Sequence, residues 1–138
     1  MSRPCEASSP QQIGIYVKTW SGDQNRLSCK LGAGITAFHL VLVENLMLYP
    51  AAISCRGHIA ANPRRVEFNS TQPGDTADTW HGSISNLQGG GKYIFGHHCA
   101  LKALGSGIGD EVIETEVTLT WRQRGVTLVV PLSIRVDT

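Results

Sequence analysis

IETEVTLTWRQRGVTLVVPLSIRV, residues 113–136, decides the fold. Apolar residues recur at alternate positions: Ile113, Val117, Leu119 and Trp121 before the break, then Val126, Leu128, Val130, Leu132, Ile134 and Val136 after it. Between them stand Glu114, Glu116, Thr118, Thr120 and Arg122, and later Thr127, Val129, Pro131, Ser133 and Arg135. A period of two sends one set into a core and the other toward solvent, so the stretch is a pair of β-strands forming a hairpin. Gln123-Arg124-Gly125 is expected to supply the turn, with the glycine at positive φ. Pro131 has no N–H to offer a neighbour and is expected at an edge, a bulge or a break.

Working outward, Ile13, Ile15 and Val17 alternate with Gly14, Tyr16 and Lys18 as a first strand. Ile35 to Val43 is apolar enough for a buried helix, but its β-branched and aromatic residues, after Gly32 and Gly34, favour a strand buried on both faces. Leu46 to Tyr49 follows and ends at Pro50. Ile53–Ile59, Arg65–Asn69, Thr79–Ile84 and Lys92–Leu101 are further strands, separated by polar or glycine-rich stretches at 71–75, 89–91 and 105–110. No amphipathic helical pattern, repeat or internal linker is present. Short strands at this spacing predict an all-β fold, an antiparallel two-sheet sandwich or jelly roll of about eight strands. Residues 1–12, rich in Ser, Pro and Gln, are expected as a disordered leader before a single β-sandwich domain over 13–138.

The 138 residues suit one domain, and burial of roughly two-thirds of the unfolded surface gives it a real core. Only 17% of residues are charged, against 41% hydrophobic, and such a surface fits a subunit contact. A net charge of +1 with no basic block argues against nucleic-acid binding. No apolar run reaches the length of a membrane span, because His39, Glu44 and Asn45 interrupt the most apolar stretch, and no membrane insertion is expected. The first residues lack the apolar centre of a signal peptide, and the sequon Asn69-Ser70-Thr71 is then a chance match. Without a secretory context Cys5, Cys29, Cys55 and Cys99, far apart in sequence, are expected as reduced, mostly buried thiols.

Few constellations suggest chemistry. His97-His98-Cys99 would put two metal ligands on one strand face, half of a zinc set, and His39, His58 and His81 have no paired spacing. Gly89-Gly90-Gly91-Lys92 has Asn86 and Tyr93 where a phosphate loop needs Gly and Ser or Thr, and the loop at 105–110 leads into a strand. Glu114 and Glu116 lie on an outward face, Asp75 and Asp78 in a polar loop, and no nucleophile elbow occurs. No catalytic residue, metal or cofactor is expected. Of the tryptophans, Trp121 falls on the apolar side of its strand and is expected in the core. Trp80, after a polar loop, is the expected exposed ring, and with Arg64 and Arg65 it would suit an acidic or glycan ligand.

The order of landmarks resembles the C-terminal head of an adenovirus fibre, in a short form from outside the mammalian viruses. They are Thr19-Trp20-Ser21-Gly22-Asp23; Lys30, Gly32, Ile35 and Ala37; the stretch from Val66 to Trp80; Tyr93-Ile94-Phe95-Gly96; and closing strands at Val117–Trp121 and Leu132–Val136. The resemblance implies an antiparallel sandwich that forms a homotrimer on the virion surface, is assembled in the host nucleus, and attaches to a host cell-surface receptor, protein or glycan. Arg64, Arg65 and Trp80 are the receptor-binding candidates. The alternative role is a structural jelly-roll subunit, such as a small capsid or decoration protein. A metal enzyme using His97 and Cys99 comes third.

Overall fold

The computed structural model describes residues 5–9, 14–22, 30–32, 36–60, 65–70, 73–95, 99–104 and 109–137. Among them run eleven strands: β1 (Cys5–Ser8), β2 (Ile15–Gly22), β3 (Lys30–Gly32), β4 (Thr36–Asn45), β5 (Ala51–Ile59), β6 (Val66–Ser70), β7 (Thr79–Leu87), β8 (Lys92–Phe95), β9 (Cys99–Ala103), β10 (Gly109–Trp121) and β11 (Arg124–Asp137). One sheet has the order β1-β2-β4-β9-β6, with β8 also on β4; the other runs β3-β11-β10-β5-β7. Every pairing is antiparallel except β3 on β11. The two-sheet sandwich read from the alternation is therefore the fold.

Alternation builds its core. Ile15, Val17, Val41 and Val43 of the six-stranded sheet meet Ile53, Ile59, Ile113, Val117, Leu119, Val130, Leu132 and Ile134 of the other, all essentially inaccessible to solvent. Each such side chain contributes roughly 1.5–3 kcal/mol by leaving water. Pro131 pairs with Glu114 on one side, and β3 covers the other edge of β11 at Arg135–Asp137. Among the described residues, no strand pairs with the proline on that second edge, where its missing N–H would be called on.

The structure corrects several local expectations. Cys5–Ser8, placed in a disordered leader, pairs with β2, and Ser9 Oγ accepts from the Val17 amide at 2.9 Å. Edge pairing, not an apolar pattern, holds this segment. The turn is not Gln123-Arg124-Gly125. Trp121 pairs with Arg124 and Thr120 with Gly125, so the loop is Arg122-Gln123. Inward residues carry odd numbers on β10 and even numbers on β11, so a loop of odd length would set core side chains opposite solvent-facing ones. Leu46–Tyr49 is a loop of bends, and the single strand expected over Lys92–Leu101 is two, β8 and β9, sharing the edge of β4 that β2 leaves open. The second face of β4 is only half-buried at Phe38, Leu40 and Leu42.

Candidate functional site

Of the three residues expected to bind, Trp80 is a core residue. It is 2% exposed, because Gly57 opposite it on β5 leaves the space that the indole fills. His39 packs edge-on to it with ring centroids 5.8 Å apart, and Phe68 lies 6.0 Å from His39 on tilted planes. Trp80 Nε1, both His39 ring nitrogens, and the hydroxyls of Thr19 and Thr115 are buried with no partner among the described residues. Arg65 serves the fold. Its amide donates to Oε2 of the buried Glu111 at 3.2 Å, and its Nη1 lies 3.9 Å from the same oxygen. The guanidinium lies against Gly109, where a Cβ would come within 2.6 Å of Nε. Arg64, Cys29, His97, His98 and the loop 105–108 lie outside the described residues, as do the side chains of Cys5 and Cys99. Cys55 is a free, buried thiol, and burial pushes its pKa up.

A different aromatic group stands at the surface. Trp121, expected in the core, sits at the end of β10, where it is half-buried and packs against the rim of the core. The ring of Tyr49 stacks on it at 5.1 Å with 13° between planes, and Arg122 Cζ lies 5.0 Å from the indole centroid. Tyr49 is 53% exposed and Leu48 beside it 90%. Arg122 and Arg124 are exposed, and neither makes an ion pair among the described residues.

The loop that presents Leu48 and Tyr49 is held rigidly from below by Asn45, which is fully buried. Its Nδ2 donates to the carbonyls of Tyr49 (2.8 Å) and Leu87 (3.0 Å), and its Oδ1 accepts from the Met47 amide (2.9 Å). Its backbone is bonded to Gly90 and Gly91, and the Leu46 amide to Gly14. Gly89 lies so close to the Leu48 backbone that a Cβ there would meet the carbonyl carbon at 2.5 Å. A loop fixed this firmly has no packing reason to hold Leu48 in water.

The facing hairpin tip is strained. Arg122 and Gln123 have φ of 49° and 64°, the left-handed region that a two-residue hairpin turn requires and that Asn-Gly fills best. A residue with a Cβ gives up about 1 kcal/mol or more there. The turn therefore carries its backbone cost beside the stacked Tyr49–Trp121 pair. The sequence held one signal for this site: the apolar run Leu46-Met47-Leu48-Tyr49 breaks the alternation around it and ends in Pro50.

No family model matches the chain, and no curated protein matches it. Solved structures do. The chain is similar to the GAE domain of GGA2p from Saccharomyces cerevisiae, at 8% identity and a TM-score of 0.54, over 94% of this chain and 96% of that one. It is similar to the C-terminal domain of wzt, at 10% identity and a TM-score of 0.52, over 99% of this chain and 81% of that one. At such identities the likeness shows the all-β sandwich alone.

Proposed function

We propose that this chain is a non-catalytic recognition domain that binds a polypeptide partner at the tip formed by Leu48, Tyr49, Trp121 and Arg122. The carrying observation is a solvent-exposed leucine and tyrosine on a loop braced by a buried asparagine, next to a strained hairpin tip. Aromatic and arginine anchors on a pre-organised surface dominate binding energies. Two arginines at the same tip, Arg122 and Arg124, with no ion pair among the described residues, favour a ligand segment combining an apolar side chain with a carboxylate. A random peptide library displayed on phage and selected on the purified chain tests this. Selected peptides should carry that combination and should not bind Tyr49→Ala or Arg122→Ala; peptides indifferent to both changes would place recognition elsewhere.

The attachment-head role is a specific form of this reading, and it rests on the order of sequence landmarks. A homotrimer would present three tips on one particle, multiplying a weak contact into useful avidity. Self-association has one supporting observation. On the outward face of the six-stranded sheet, half-buried Trp20 lies beside Leu40, and Leu42 beside the exposed Ile94. Light scattering should give the mass of a trimer; a larger or open assembly would favour the structural-subunit role instead.

A further inference from the structure

On the outward face of the five-stranded sheet lies an open depression of about 550 Å³, lined by none of the tip residues. That volume falls within the range of about 300–1,000 Å³ typical of small-ligand sites. Ser54 and Arg56 of β5, His81 and Ser83 of β7, and Glu116 of β10 line it. The register places them together: Arg56 faces His81 on one side and Glu116 on the other, and Ser54 faces Ser83. All five side chains are exposed. Arg56 nevertheless makes no ion pair among the described residues, although Glu116 is its direct cross-strand neighbour.

His81 is held in place. The carboxylate of Asp75, only 5% exposed, accepts from the His81 amide at 3.1 Å and lies 3.4 Å from its Nδ1. That contact occupies one ring nitrogen and leaves Nε2 available to a ligand. The depression therefore offers one bidentate cationic fork, one fixed imidazole nitrogen, two hydroxyls and one carboxylate acceptor.

We infer that this depression binds a carboxylate-bearing saccharide, with the ligand carboxylate on Arg56 and its hydroxyls on Ser54, Ser83, His81 and Glu116. Three features select that chemistry. A guanidinium matches the two oxygens of a carboxylate. Ser, His and Glu donate and accept as a polyol requires. No Trp, Tyr or Phe ring lines the depression, so a neutral sugar would find no large apolar ring to stack on. A single guanidinium, with Glu116 as its cross-strand neighbour, offers one positive charge, which suits a monoanion better than a dianion such as phosphate. This site does not depend on the tip, and either can fail without the other.

The test is an amide NMR titration of the full chain with glucuronic acid, with glucose and inorganic phosphate run in parallel. Glucuronic acid should shift the resonances of Ser54, Arg56, His81 and Ser83 saturably, with a dissociation constant in the range of about 1–10 mM expected of a single polar site. Glucose and phosphate should each bind at least about tenfold more weakly, since each lacks one of the two matching features. Arg56→Ala, an exposed change that leaves the melting temperature intact, should abolish the shifts, and Arg56→Lys should retain part of them. No saturable shift with glucuronic acid would overturn the proposal. So would equal binding of phosphate, which would mark a simple anion site, or shifts that survive in Arg56→Ala.

Discussion

Trp80 and Gly57 are register partners on β7 and β5, and the indole Nε1 occupies the volume that a Cβ on residue 57 would need. The pair sets the centre of the core, because His39 from the opposite sheet rests edge-on against that indole. A tryptophan that a glycine makes room for is a structural residue, so it cannot also be a surface for a ligand.

Gly57→Ala should therefore destabilise the protein. In an unobstructed strand the same change would help by roughly 0.5–1 kcal/mol. Here the methyl displaces the indole, and overpacking of this kind costs about 1–3 kcal/mol. Urea denaturation followed by tryptophan fluorescence measures it; a stabilised variant would show that the indole does not lie over residue 57.

His39 gives the fold a pH dependence. Its ring is fully buried with no hydrogen-bond partner among the described residues, and desolvation lowers its pKa to about 4. The unfolded chain takes up the proton near its ordinary value of about 6.5 while the folded chain resists, so stability is lost as the pH falls from about 6.5 toward 4. The gap is worth on the order of 3 kcal/mol. His39→Leu should remove that component, and the difference between urea midpoints at pH 7 and pH 4.5 should shrink. Equal differences in the two proteins would assign the pH dependence to other groups.

Arg65 belongs to the fold through Glu111, whose carboxylate is wholly buried. Arg65→Ala leaves that carboxylate short of its charged partner and should cost about 2–3 kcal/mol. Glu111→Gln in the same background should recover part of the loss, since an amide is cheaper to bury alone. A melting temperature unmoved by Arg65→Ala would return this residue to the list of binding candidates.

The sandwich was legible because period-two alternation maps directly onto one wet and one dry face, and residues 113–136 carry it almost without interruption. The same rule applied to Thr79–Leu87 marks Trp80, Gly82 and Ile84 as inward. The polar loop before Trp80 masked that, and the complement that buries the ring, Gly57, is distant in sequence. Trp121 misled in the opposite way: it obeys the inward pattern but ends its strand, so it is only half-buried. Strands β1 and β3 left no trace because edge pairing needs backbone groups and no apolar period. The tip left only the apolar run Leu46-Met47-Leu48-Tyr49 as a trace, for a related reason. Loop position depends on Asn45, whose side-chain bonds to Tyr49 and Leu87 join segments that sequence keeps apart.

The strained turn separates stability from recognition. Replacing Arg122-Gln123 by Asn-Gly puts residues suited to positive φ at both positions and should stabilise the hairpin by about 1–2 kcal/mol. It also removes the guanidinium from above Trp121. The double variant should melt higher and bind the selected peptides worse. A variant that melts higher and binds unchanged would mean that the strain serves nothing at this tip.

The most direct measurement is the dissociation constant of one selected peptide for the wild-type chain and for Tyr49→Ala, read by calorimetry alongside the melting temperature of each. Tyr49 is 53% exposed and bonded to Asn45 through its carbonyl, so its ring can be removed with little effect on the fold. The wild type should bind the peptide at roughly 10–100 μM and the variant at least about tenfold more weakly, with melting temperatures within a few degrees of each other. Equal dissociation constants for the two proteins would contradict recognition at this tip.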